Sequence, residues 1–283
     1  NDSSYREIYL EIAEYQTYPI TFSKRSICIP APKRESKHPM APHHYLIHLW
    51  KSFGNMTLGS WELDELAMDA LAKGGEDTSG LKVLELYTDL QISESYMKNI
   101  ASVVARSELV KIDIQTADEE QRVHILGSIQ WEHVRELVMR MKSGGSLDAV
   151  AMRALVGCAK KMPGGMELDG ITIRPNSYGA ALFMSHDELL ATLLSSISFK
   201  RLLLYVVMTL EQMLSILRSL DLSQVWNLGL WAAGFDSTQV DTILDGIQHA
   251  TEMQVIRLWH ATVTNEQKER MKTMGINLST DII

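Results

Sequence analysis

The chain has 283 residues, 46% of them hydrophobic and 22% charged, with a net charge of −8. This is globular composition, enough for one large domain or two smaller ones, and its acidity argues against nucleic acid as a partner. No apolar run reaches the ~18 residues of a spanning helix, Leu202 to Leu210 being the nearest candidate, so no membrane partner is expected.

At the start, "YREIYLEIAEY" reads as a helix or strand of an earlier unit. Five of the seven prolines then fall between Pro19 and Pro42, where Lys24, Arg25, Lys33, Arg34 and Lys37 face the single acid Glu35. Proline has no N–H to donate, so the stretch reads as a basic connector rather than a packed element. Residues 1–43 are accordingly assigned to an N-terminal segment and connector, and residues 44–283 to a second region. Cys28, His38, His43, His44 and His48 are zinc-type donors, but their spacing matches no standard zinc module, and neither metal nor cofactor is expected. With Cys158 the chain has two cysteines, which gives no disulfide framework and fits a reducing, intracellular setting, cytoplasmic or nuclear.

From residue 81 onward an apolar-x-x-apolar-x-apolar template recurs. Its copies are Leu81/Leu84/Leu86, Leu109/Ile112/Ile114, Val134/Leu137/Met139, Leu168/Ile171/Ile173, Phe199/Leu202/Leu204, Val225/Leu228/Leu230 and Met253/Ile256/Leu258. Successive starts lie 28, 25, 34, 31, 26 and 28 residues apart. Each copy is followed by helical periodicity, so the repeating unit is strand, turn, helix. In "SLDAVAMRALVGCAKKM" the spacing places Leu147, Val150, Ala151, Ala154 and Cys158 on one buried face; in "STQVDTILDGIQ" it selects Val240, Ile243, Leu244 and Ile247. Ser185 with Glu188, Thr209 with Gln212, and Thr264 with Gln267 match the capping box, which satisfies unpaired backbone donors at a helix start. Gly74/Gly75, Gly144/Gly145 and Gly164/Gly165 follow helical stretches, where a left-handed cap needs no Cβ. "TNEQKERMKTMG" is mostly polar, as a terminal cap facing water should be.

This skeleton resembles the long intracellular class of leucine-rich repeats, the ribonuclease-inhibitor-like horseshoes, over about residues 81–280. The resemblance implies an α/β solenoid with parallel strands on a concave face and helices on the convex face. It departs from the family at the Asn or Cys eight positions after the first leucine: the chain has Asp89, Ala117, Lys142, Asn176, Val207, Ala233 and Ala261, and only Asn176 conforms. An irregular solenoid is therefore expected. Similar repeats occur in F-box substrate receptors of ubiquitin ligases and in nucleotide-binding immune-type sensors, which implies a noncatalytic recognition role within a larger protein.

With the template residues pointing inward, alternate positions line the other face of the sheet. Six residues after each start stand Tyr87, Gln115, Arg140, Arg174, Tyr205, Trp231 and Trp259. Four after the start the column includes Leu203, Gly229 and Arg257, and two after it Glu136, Arg201 and Asn227. Tyr, Trp and Arg dominate binding hot spots, so Tyr87, Arg140, Arg174, Arg201, Tyr205, Trp231, Arg257 and Trp259 are the candidate contacts for a protein or peptide. Arg257 and Asn227 suggest solvent access beside the tryptophans. Sequons at Asn1, Asn55 and Asn277 support an alternative, an extracellular domain whose tryptophans stack on sugar rings. No nucleophile elbow, zinc-protease motif, C-x-x-C or phosphate loop occurs, so no enzymatic activity is expected.

Overall fold

The computed structural model describes residues 6–12, 16–23, 26–28, 56–59, 81–88, 93–116, 119–141, 149–175 and 182–280. The chain divides into two compact units, Asn1–Val134 and Arg135–Ile283.

The first unit opens with β1 (Arg6–Ile12), β2 (Gln16–Ser23) and β3 (Ser26–Cys28), an antiparallel sheet in that order. "YREIYLEIAEY" thus supplies a strand. The connector expectation fails for its first part, because the alternating Thr17, Pro19 and Thr21 pair opposite Glu11, Tyr9 and Glu7. The four histidines of the connector region lie outside the described residues. The unit continues with parallel β4 (Met56–Gly59), β5 (Leu81–Thr88) and β6 (Lys111–Thr116), and with helices α1 (Glu94–Val104) and α2 (Glu119–Ser128).

In the second unit β7 (Glu136–Met141), β8 (Met166–Pro175), β9 (Ile197–Leu204), β10 (Asn227–Trp231), β11 (Val255–Trp259) and β12 (Asn277–Ser279) lie parallel in an open sheet whose spatial order is the chain order. Between them run α3 (Ala149–Lys161), α4 (Asp187–Ser195), α5 (Leu210–Ser219), α6 (Ser237–Gly246) and α7 (Asn265–Thr273). The protein is therefore of the α/β class with a parallel sheet.

The template is the core. From Leu109 to Leu258 every residue of its six copies is buried, and Val134, Ile171, Ile173, Leu202, Leu204, Val225, Leu228, Leu230, Ile256 and Leu258 have no exposed surface. Facing them are Leu190, Leu193 and Leu194 of α4, Met213, Ile216 and Leu217 of α5, and Val240, Ile243 and Leu244 of α6. Burial alternates in β7 and in the second half of β9, buried toward the helices and partly open on the other side, whereas Asn227–Leu230 of β10 are buried at consecutive positions. A sheet covered on both faces would be buried at consecutive positions. The side opposite the template is thus partly open in β7 and β9, while at β10 it is closed over Asn227 and Gly229.

Helix signals are met unevenly. Thr209/Gln212 and Thr264/Gln267 form complete capping boxes, and so do Asp236 and Gln239. Ser185 does not cap α4; the helix starts later, with His186 at the cap position and no side-chain bond. The buried face of α3 is Ala151, Met152, Leu155, Val156 and Ala159, rotated from the expected one, so Val150 is exposed and Ala154 and Cys158 are half-buried. Gly164 and Gly165 both take positive φ, at 92° and 90°, after α3. Met271 anchors the polar α7, which is followed by an additional edge strand, β12, that the template does not cover.

Candidate binding face

In the second unit, register places the open-face residues in rows across the strands. Glu136 pairs with Gly170, Gly170 with Arg201, and Arg201 with Asn227. In the next row Val138 meets Thr172, Thr172 meets Leu203, Leu203 meets Gly229 and Gly229 meets Arg257. Toward the strand ends Arg140 stands beside Arg174 and Trp231 beside Trp259. Tyr205 closes that last row, since its N–H donates to Ile173 O at 2.9 Å just past the end of β9.

Two glycines shape this face. Where most rows carry a side chain, Gly170 and Gly229 leave gaps, and long neighbours lie down in them. Arg201 crosses Gly170 so closely that an added Cβ would stand 2.7 Å from its Nη2, and its guanidinium reaches Glu136 on the far strand at 3.1 Å. Trp259 crosses Gly229, where a Cβ would stand 2.5 Å from its ring and 2.8 Å from Leu203 Cδ2. Beyond that gap its indole stacks on Tyr205, with ring centroids 4.2 Å apart and planes inclined by 16°.

The two tryptophans occupy paired positions but are not displayed alike. Trp231 is half-buried, whereas Trp259 is 1% exposed and its Nε1 has no hydrogen-bond partner among the described residues. Trp259 supports the face from within. Asn227 is buried as well, accepting from the Arg257 guanidinium through Oδ1, so this pair does not mark open solvent access at the tryptophans. Arg140, Arg174, Arg201, Tyr205 and Arg257 are half-buried. These five residues are brought together with Trp231 and Trp259 on one face. Tyr87 belongs to β5 of the first unit, where it pairs with Gln115.

His260 joins the site without having been anticipated. Its ring packs against Trp231 with centroids 4.6 Å apart, and its backbone has φ 65°, the one positive value outside glycine among the described residues. The hint in the sequence is small: "LWH" replaces the "LWA" of the preceding copy. The role of Gly229 was also legible only in part, since a glycine matters there because a tryptophan stands in the next strand.

Among the described residues no group of three or more His, Cys, Asp or Glu side chains is placed to hold a metal ion, and no helix is long and apolar enough to cross a membrane. The face offers cations, aromatic rings and shape; no nucleophile with a base beside it stands among the site residues.

No family model matches the chain. No curated protein matches it either. A crystal structure of a Bacteroides fragilis protein, a structural-genomics target, is similar over 82% of this chain and 66% of that one, with 11% sequence identity and a TM-score of 0.41. The chain thus spans just under two thirds of that protein's length.

Proposed function

We propose that this chain is a noncatalytic recognition scaffold, an irregular leucine-rich-repeat-like solenoid whose open strand face engages a protein or peptide. The observation that carries the reading is the row Arg140, Arg174, Tyr205 and Trp231, all half-buried, on the sheet face opposite the buried template residues. Side chains of these types concentrate binding energy because they combine large contact area with directed polar groups. Held by strands, they lose little conformational freedom on binding, which favours affinity. The reading places the chain inside the cell, supported by its two cysteines, and within a larger protein that supplies any effector activity. The sugar-stacking alternative is weakened, because Trp259 has almost no exposed ring to offer.

The test is site-specific photo-cross-linking in lysate of the native host. A photoreactive phenylalanine derivative replaces Trp231 in one variant and the exposed Val150 on α3 in another. A discrete protein adduct formed from position 231 and absent from position 150 is the expected result. If the two positions give the same adducts, the open face is not the recognition surface.

A further inference from the structure

We infer that Arg140 and Arg174 form the acid-binding end of the site, and that the partner presents an extended segment with a carboxylate three residues from an aromatic side chain. This rests on the recognition reading above and adds the chemistry of the ligand to it.

The two arginines occupy directly paired positions on β7 and β8. Side by side, the two guanidinium groups are placed so that one anion can bridge them. Each guanidinium carries five donors in a planar fork, so bonds it already makes within the protein leave capacity for a carboxylate. The surrounding charge points the same way. In the three columns that the second unit places on this face, Arg140, Arg174, Arg201 and Arg257 stand against one carboxylate, Glu136, which is bonded to Arg201. A chain with a net charge of −8 thus concentrates positive charge on its open face. Such a local reversal selects an acidic partner and steers it by its field.

The spacing follows from sheet geometry. Arg174 is on β8 and Trp231 on β10, two strands apart in the same row. Two inter-strand steps are about 9.6 Å, which an extended peptide covers in about three residues. Between them stands Tyr205, backed by the buried Trp259 and therefore held firmly. A segment crossing the strands would place its carboxylate at the arginines, its backbone over Tyr205 and its ring against Trp231 and His260.

The experiment measures fluorescence anisotropy with the full chain and labelled peptides on a glycine and serine background. One carries Glu and Phe three residues apart, a second has them adjacent, and a third replaces Glu by Lys. The first is expected to bind at least about fivefold more tightly than the other two, and Arg140→Gln with Arg174→Gln to weaken it about tenfold. Should that double variant fail to fold by circular dichroism, Arg140→Lys with Arg174→Lys keeps the charge and removes the fork, and a loss of about threefold or more is expected. Equal binding of the Lys peptide, unchanged binding by the folded arginine variant, or tighter binding of a ten-residue oligothymidylate would overturn the assignment. If the peptides fail while cross-linking from position 231 captures a protein, the recognition reading stands and the acid-binding assignment falls. If both fail, both fall.

Discussion

Trp231 and His260 meet ring against ring, 4.6 Å between centroids, and His260 reaches that contact through a backbone conformation with φ 65°. It is the third residue of a turn closed by Ala261 N–H donating to Leu258 O at 3.3 Å, a position that normally suits glycine or asparagine. A non-glycine residue there costs about 1 kcal/mol or more, and such strain collects at functional positions. The sheet tolerates it because the strand just before the turn is fixed by the buried Leu258 and Trp259.

His260→Gly should therefore leave stability unchanged or raise it by about 1 kcal/mol while removing the ring from Trp231. His260→Val should lower stability, since a β-branched side chain fits positive φ poorly. Urea unfolding of the two variants checks the sign, and a stabilising valine would refute the strain argument.

Gly229→Ala and Gly170→Ala should differ in cost. At Gly229 the new methyl meets the buried Trp259 and the half-buried Leu203, with an expected loss of about 1–3 kcal/mol. At Gly170 it meets the end of a flexible arginine, which can swing away, so the loss should stay below about 1 kcal/mol although the pair with Glu136 opens. Denaturation midpoints that rank the two the other way would contradict the packing described.

Trp259→Ala should cost about 3–5 kcal/mol, the range for truncating a large buried aromatic. Trp259→Phe should be much milder. It keeps a ring in the gap over Gly229 and removes a buried N–H that has no partner among the described residues, a group whose burial costs about 1–3 kcal/mol. Thermal unfolding of both variants decides the matter; equal losses would show that the indole nitrogen is satisfied.

Thr209→Ala, Asp236→Ala and Thr264→Ala each remove a helix cap and should each cost about 1 kcal/mol. Native-state hydrogen exchange should show the loss first in the capped helix, because each strand and helix rests mainly on its neighbours in the stack. Uniform loss of protection across the unit would argue for a single cooperative block.

The hydrophobic skeleton was legible because burial repeats: Val225, Leu228 and Leu230 do the same work as Met253, Ile256 and Leu258, and a three-position pattern survives changes of residue type. The row Arg140, Arg174, Tyr205, Trp231 followed from that skeleton by alternation alone. What did not follow was lateral. Whether Trp259 faces solvent depends on Gly229 in the next strand, and whether Asn227 is open depends on where Arg257 leans. The α3 face was misread for a related reason. Small residues such as Ala151 and Ala159 leave the helical period shallow, and contact with Met152 and Leu155 decides the rotation. The strands of residues 16–28 were obscured by prolines, one of which sits within β2.

The two glycine gaps bear on how the chain avoids folding wrongly. Sliding one strand by two residues along its neighbour keeps every apolar side chain on the helical side, so hydrophobic burial alone penalises that error weakly. With β11 slid by two positions, the indole of Trp259 would no longer lie over Gly229 and would meet the side chain of Asn227 or Trp231 instead. Arg201 imposes the same condition on β9 and β8 through Gly170. Each pairing therefore works as a key in a lock, admitting the native alignment and rejecting the mistaken ones that most resemble it.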